Sequence, residues 1–132
     1  MNRSIKLSNH IIVCGFHSSI YHFILPLRAK YLKSYQQDIV IIYPSFDREI
    51  WDKISRFPRI FIIEGSPLNI ETLHLAFIKK ADKAVILGHD PSLSTSQHSE
   101  LNDSMIDAQS IFIYKAIKQI NPRLQVFTEI FY

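Results

Sequence analysis

The chain has 132 residues, 47% of them hydrophobic, and this length and composition indicate one packed domain that buries roughly two thirds of its unfolded surface. Its single cysteine, Cys14, excludes internal disulfide bonds and cysteine-based zinc sites and indicates a reducing, intracellular setting. The formal net charge of +3 does not indicate nucleic-acid binding, because the basic residues lie at the ends of predicted helices and form no recognition motif.

Residues 1–8 are polar and mixed in character and lack the apolar segment of a signal peptide, so we interpret them as a linker or an artificial terminus. No later run of apolar residues approaches the about 20 that a membrane-spanning helix needs. We therefore place the folded domain at residues 9–132.

Five short runs of apolar residues recur along the chain and predict five β-strands. The first of these runs is too continuously apolar to leave one face in water, which is typical of a parallel strand covered by helices on both sides. A glycine or a proline follows four of them, where the chain must turn sharply. The predicted strands are residues 10–14, 39–43, 59–64, 83–87 and 124–130. The alternating pattern of the last run indicates an edge strand.

Helical patterns fill the spaces between these strands. The first is predicted from Ile20 toward Lys33, after a cap by one of the two serines that precede it, with a kink or a new first turn at Pro26. The second is predicted to follow a cap at Ser45 and to stop at Pro58.

The third helix is predicted to begin at Pro67 or Asn69 and to run through Ala81. After the fourth strand, residues 89–104 are almost entirely polar, and we interpret them as a mobile loop. A pattern similar to a capping box at Ser104 then predicts the start of the last helix.

Two apolar side chains project from the polar side of this last helix. Ile111 and Tyr114 lie three residues apart and are therefore neighbours on the helix surface. They are candidates for a contact with another chain, although single exposed apolar residues are also common. The predicted core-facing residues are Ile106, Phe112, Ile113, Ala116, Ile117 and Ile120.

The alternation of strands and helices predicts an α/β fold. With right-handed crossovers it becomes a Rossmann-like, doubly wound parallel sheet of order 3-2-1-4-5, with helices on both faces and a switch point between strands one and four. The last strand is followed at once by Phe131 and Tyr132. We interpret this as a fragment from which a covering segment has been cut away.

The predicted crevice at the switch point lacks the signature of a dinucleotide site. That signature needs three glycines after the first strand, but His17 and Ile20 replace the second and third of them. Pro44 follows the second strand where an acidic residue would bind the ribose. We therefore expect no nucleotide cofactor. The residues of this degenerate crevice are Gly15, Phe16, His17, Ser18, Gly88 and His89.

Other kinds of chemical site are also weakly supported. His17 and His89 could approach each other with Asp90 and bind a metal, but two loop histidines are more often ordinary polar residues, so we predict no metal site. No triad, Cys-His pair or carboxylate pair forms a recognisable motif, and Cys14 is expected to be buried and inert. The sequence therefore predicts no enzymatic activity.

Several segments resemble one family in matching order and spacing. Residues 65–87, GSPLNIETLHLAFIKKADKAVIL, are similar to the third-strand, helix and fourth-strand block of regulator of K⁺ conductance (RCK) domains. More narrowly, the chain resembles the second RCK domain of Slo-type, large-conductance calcium-activated potassium channels. The segments that carry this narrower resemblance are LPLRAK at 25–30, Trp51, Phe57 with Pro58, GSPL at 65–68 and MIDAQSIFIYKAI at 105–117.

This resemblance implies the Rossmann-like, amino-terminal lobe of a cytoplasmic gating-ring domain in a ligand-activated potassium channel. The implied partners are other RCK domains of a tetrameric ring, and the helix with Ile111 and Tyr114 corresponds to one that contributes to their assembly. The family's acidic calcium-binding loop would lie beyond this chain, so no residue here is expected to bind calcium. Two alternatives remain, which are an NAD(P)-binding sensor or redox domain and a generic protein-interaction domain.

Overall fold

The computed structural model describes residues 7–15, 20–28, 37–44, 47–87 and 99–129. Within these ranges, five parallel strands form one sheet in the order β3-β2-β1-β4-β5, which confirms the predicted Rossmann-like topology and the edge position of the last strand. The strands are β1 (Ile11–Cys14), β2 (Ile39–Tyr43), β3 (Ile60–Glu64), β4 (Lys83–Leu87) and β5 (Gln125–Glu129). The helices are α1 (Ile20–Leu27), α2 (Arg48–Ile54), α3 (Ile70–Leu75) and α4 (Ser99–Ile120), and a 3₁₀ turn (Ile78–Lys80) follows α3.

Successive residues of the central strands point to opposite faces of the sheet and enter two separate hydrophobic clusters. Ile12 packs in the cluster that contains Leu73 of α3 and Ile117 of α4. Val13 packs on the other face in the cluster that contains Ile24 of α1. Helices therefore cover both faces, which explains why β1 and β2 are buried along their whole length.

Leu7 belongs to this core, although the sequence pattern assigns it to a linker. Its side chain is buried in the cluster under α3 and α4. Asn9 has a left-handed backbone with a φ of 60°, and its N–H donates to the carbonyl of Lys80 at 2.8 Å. The segment before β1 thus packs against the 3₁₀ turn and is part of the folded domain.

Helix α1 starts at Ile20 as predicted and ends at Leu27, next to the predicted break at Pro26. Pro26 lies in the last turn of α1 and has no N–H with which to continue the helical bonding. The N–H of Arg28 donates to the carbonyl of Leu25 at 3.2 Å and closes the helix with a tight turn. The predicted continuation toward Lys33 lies outside the described residues, as do Ser18 and Ser19.

Arg28 ends α1 and is buried, with only 8% of its surface exposed. Its guanidinium donates to the backbone carbonyls of Pro58 at 2.9 Å, Leu27 at 3.1 Å, Arg59 at 3.4 Å and Gln37. Burial and the nearby charge of Arg59 lower the pKa of Arg28, whereas the carboxylate of Asp38 opposes this shift. One side chain therefore joins the end of α1 to the segments that enter β2 and β3, which is more than the helix-dipole role predicted for it.

The cap of α2 differs from the predicted one. Asp47, rather than Ser45, is the N-cap, and its Oδ1 accepts hydrogen bonds from the N–H groups of Glu49 at 2.9 Å and Ile50 at 3.4 Å. The carboxylate also places negative charge at the positive end of the helix, where it is favourable. Ser45 lies outside the described residues.

The third helix starts as predicted but ends early. The side chain of Asn69 accepts a hydrogen bond from the N–H of Glu71 at 2.9 Å and caps α3. The helix then stops at Leu75 because Phe77 has a left-handed backbone with a φ of 56°. This turn brings Phe77 against the hydrophobic cluster below α3. The predicted single helix through Ala81 is therefore wrong.

His10, which is fully buried, binds the end of α3. Its Nε2 lies 2.7 Å from the carbonyl oxygen of Ala76, so a neutral ring must carry its proton on Nε2 to donate there. The other ring nitrogen, Nδ1, has no hydrogen-bond partner among the described residues. Burial lowers the pKa of His10, whereas the Ala76 hydrogen bond and the charge of Asp38 oppose this effect.

The stability of the domain is expected to fall as the pH drops below about 6.5, the ordinary pKa of histidine. The folded chain binds fewer protons at His10 than the unfolded chain does, so the free energy of unfolding decreases through this window. Urea denaturation at pH 5, 6, 7 and 8 measures the slope, and His10→Gln should flatten it because glutamine can donate to Ala76 without titrating. His22→Gln, at an exposed histidine, is the control. An unchanged slope in His10→Gln would show that His10 does not cause the pH dependence.

The last helix is longer than predicted. It begins at Ser99, so residues 99–104, assigned above to a polar loop, are helical, and Ser104 lies inside the helix instead of capping it. No glycine or proline interrupts residues 99–104, and a nucleated helix gains one hydrogen bond for each further residue. The remainder of the predicted loop, residues 89–98, lies outside the described residues. None of the described helices, α4 included, has both the length and the apolar character of a membrane span.

Candidate functional site

A cavity of about 220 Å³ lies at the carboxyl ends of the strands, where the predicted crevice was expected. Its wall includes Gly15 after β1 and Leu87 at the end of β4, which are the two strands that flank the switch point. The other predicted crevice residues lie outside the described part of the chain. They are Phe16, His17, Ser18, Gly88 and His89, together with Asp90 of the predicted histidine pair.

Gly15 allows β1 and β4 to approach closely at this site. Its φ is 127°, and an added Cβ would lie 3.1 Å from the Cβ of Leu87. Its N–H donates to the carbonyl of Ile42 at 3.1 Å, which continues the pairing with β2 beyond the end of the strand. A residue with a side chain would therefore strain the backbone and displace Leu87.

The turn after β3 forms the opposite wall of the cavity. Gly65 has a φ of 155° and donates to the carbonyl of Tyr43 at 2.7 Å, so it fixes where the turn leaves the sheet. The hydroxyl oxygen of Ser66 accepts a hydrogen bond from the N–H of Leu68 at 3.1 Å. Pro67 between them is buried, and Leu68 is half exposed at the rim. In the sequence, GSPL is marked only by the family resemblance, and no local signal identifies it as a wall of the crevice.

Helix α4 contributes Ser110 and Ile113 to the wall, and Cys14 at the end of β1 also lines the cavity. Burial raises the pKa of the Cys14 thiol to about 12, so the thiol is protonated at neutral pH, as the prediction of a buried and inert cysteine requires. The described wall residues include no Asp, Glu, Lys, Arg or His. Among all described residues, no three His, Cys, Asp or Glu side chains cluster as metal ligands.

The outer side of α4 is a second candidate site. Ile111 and Tyr114 are 53% and 42% exposed, which confirms that both project from the domain. Phe112, predicted to face the core, is 56% exposed instead, because only a narrower stripe centred on Ile117 packs on the sheet. We call Ile111, Phe112 and Tyr114 the α4 surface. The side chain of Ile106 lies outside the described part of the helix.

Lys118 helps to position one residue of the α4 surface. Its Nζ donates to the carbonyls of Leu124 at 2.5 Å and Pro122 at 3.3 Å, and this fixes the ammonium group near the end of the helix. The same ammonium lies 5.8 Å from the centre of the Tyr114 ring, within the range of a cation–π contact. The Tyr114 ring is therefore partly ordered before any partner binds.

The chain is similar to proteins of known class. The model of the calcium-activated potassium channel slowpoke-like RCK domain family matches residues 6–128. The chain is 36% identical over 101 residues to potassium channel subfamily U member 1 of Rattus norvegicus and 28% identical over 115 residues to potassium channel subfamily T member 1 of Homo sapiens. These alignments cover 70% and 86% of the chain, which spans 9% of the length of either relative. Its structure is similar to the human SLO3 gating ring, with a TM-score of 0.67 and 25% identity over 86% of this chain and 20% of that one.

Proposed function

We propose a regulatory function for this chain from the premise that the chain belongs to the calcium-activated potassium channel slowpoke-like RCK domain family. In this proposal it is a non-catalytic lobe of a gating ring, on the cytoplasmic side of a membrane, in a ligand-activated potassium channel. The observation that supports this most strongly is the family match over residues 6–128. Because the chain spans 9% of the length of its relatives, the proposed gating belongs to a longer protein and not to this lobe alone.

The proposed partners are other RCK domains of the same channel, and the α4 surface is the proposed contact. Three large apolar side chains on one helix, each more than two fifths exposed, are unusual for a surface that stays in water. Aromatic residues are enriched in protein interfaces because they bury much area at a small loss of side-chain entropy. The ordered Tyr114 ring fits that role.

A charge on the α4 surface is expected to impair channel regulation. In a channel where this chain replaces the matched segment of human potassium channel subfamily T member 1, Ile111→Glu with Tyr114→Glu should lower the ligand-dependent potassium current about tenfold, because two carboxylates would be buried at a contact. Patch-clamp recording with surface labelling separates lost current from lost protein. Leu25→Glu, on α1 at 45% exposure, is the matched control. Equal currents in all three channels would contradict the proposed contact.

We also propose that the lobe binds no nucleotide cofactor and catalyses no reaction. The described wall residues, which include no Asp, Glu, Lys, Arg or His, and the loss of the second and third fingerprint glycines at His17 and Ile20 support this over an NAD(P)-binding sensor. Titration of the chain with NADH and NADPH should leave its melting temperature unchanged. A rise in melting temperature at micromolar NADH or NADPH would favour the sensor instead.

A further inference from the structure

We infer that the cavity at the switch point is a binding site for a small, neutral and mainly apolar molecule. This goes beyond the proposed regulatory function, and its test needs neither a channel nor the α4 surface. Its volume of about 220 Å³ sets the size of the ligand. A dry aliphatic cavity of about 150 Å³ holds benzene, so this one suits a molecule of one or two rings, whereas drug-sized ligands occupy about 300–1,000 Å³.

The wall of the cavity selects against charge. The chain has 15 lysines and arginines, yet none of them is a described wall residue. A phosphate or carboxylate in the cavity would lose its hydration and find no cation among the described wall residues, which is strongly unfavourable. The described wall includes the hydroxyls of Ser66 and Ser110, which suit one or two hydrogen bonds to a phenol or an indole N–H.

The cavity is also held open by its surroundings. Protein interiors seldom contain voids larger than a water molecule, because side chains usually relax into them. Here Pro44 and Pro67 fix the backbone φ in the turns after β2 and β3. The parallel pairing of β1 with β4 fixes the spacing of these two strands, so they cannot approach further. Leu68, half exposed at the rim, leaves the cavity accessible from solvent.

Methyl NMR of the whole chain, with isoleucine labelling and indole as the probe, tests this site. Indole should cause saturable shifts of the methyl groups of Ile86 and Ile113, which line the cavity, and not of Ile24 on the other face of the sheet. Indole-3-acetate has the same ring with a carboxylate and should bind at least tenfold more weakly. Ile86 and Ile113 signals that do not respond to indole, or that respond equally to indole-3-acetate, would overturn the inference.

A cavity-filling variant gives an independent test. Ser110→Leu should abolish the indole shifts while the melting temperature stays equal or rises, because the added methyl groups occupy apolar space. Ser8→Leu makes the same exchange at an exposed position and should leave binding unchanged. If Ser110→Leu fails to fold, the response of the wild-type Ile86 and Ile113 methyl groups to indole alone decides whether the site exists. If folded Ser110→Leu still shows the indole shifts, the proposed site is wrong. If NADH shifts the methyl groups of Ile86 and Ile113 and indole does not, the cavity binds a dinucleotide instead.

Discussion

Replacement of Arg28 with leucine is expected to lower the free energy of unfolding by about 3 kcal/mol. The guanidinium is buried and donates to four backbone carbonyls, at the end of α1 and in the segments before β2 and β3. Leucine fills part of the space but removes the guanidinium donor from the carbonyls of Leu27, Gln37 and Pro58, whereas the Arg59 carbonyl still accepts from the N–H of Ile39 at 3.0 Å. The lost hydrogen bonds account for most of the expected destabilisation. Urea denaturation followed by circular dichroism measures it.

Two further variants separate this role from a simple effect of charge. Arg28→Lys keeps the positive charge but not the planar fork, so an intermediate loss is expected. Arg48→Leu removes an arginine whose side chain is 82% exposed and forms an ion pair with Asp52 at 3.7 Å, so stability should change by no more than about 0.5 kcal/mol. If Arg28→Lys were as stable as the wild type, charge alone would explain the role of Arg28.

The second large effect is expected at Gly65, where alanine should destabilise the domain by about 3 kcal/mol. The φ of 155° is rarely adopted by residues with a side chain, and an added Cβ would lie 2.8 Å from Oγ1 and 3.0 Å from Cγ2 of Thr72. Thr72 is buried and belongs to α3, so it cannot move aside easily. Thermal and chemical unfolding both report this loss.

Thr72→Ala distinguishes the clash from the backbone strain. It removes both atoms that the new Cβ would meet, so Gly65→Ala should be less damaging in the Thr72→Ala background by at least about 1 kcal/mol. The remaining loss measures the strain of the φ value alone. Strict additivity of the two substitutions would show that the contact with Thr72 is unimportant.

The strands were predictable because each is decided by a short local pattern. Runs such as Ile39–Tyr43 are apolar throughout, and the sheet order follows from right-handed crossovers once five such runs alternate with helices. The end of α3 was not predictable, because a partner distant in sequence meets it: His10, 66 residues away, lies against the Ala76 carbonyl. The hydrogen bonds of Arg28 to carbonyls before β2 and β3 were missed for the same reason.

The candidate site was predicted only in part for the same reason. Gly15 was identified because a glycine directly after a strand is a local signal. The other walls, Ser66 with Leu68 and Ser110 with Ile113, come together only when the turn after β3 meets α4, more than 40 residues later. The exposure of Phe112 was missed because a helical wheel shows the apolar arc and not the width of the sheet beneath it.

Two adjacent residues of helix α4 face different surroundings. Ser110 lies on the wall of the cavity, and Ile111, the next residue, points away from the domain. A helix of 22 residues moves as a stiff rod, so a guest that pushed on Ser110 by a fraction of an ångström would carry Ile111 and Tyr114 outward by a similar distance. Because Ser110 and Ile111 lie near the middle of α4, a displacement at the cavity would reach the exposed flank of the helix directly.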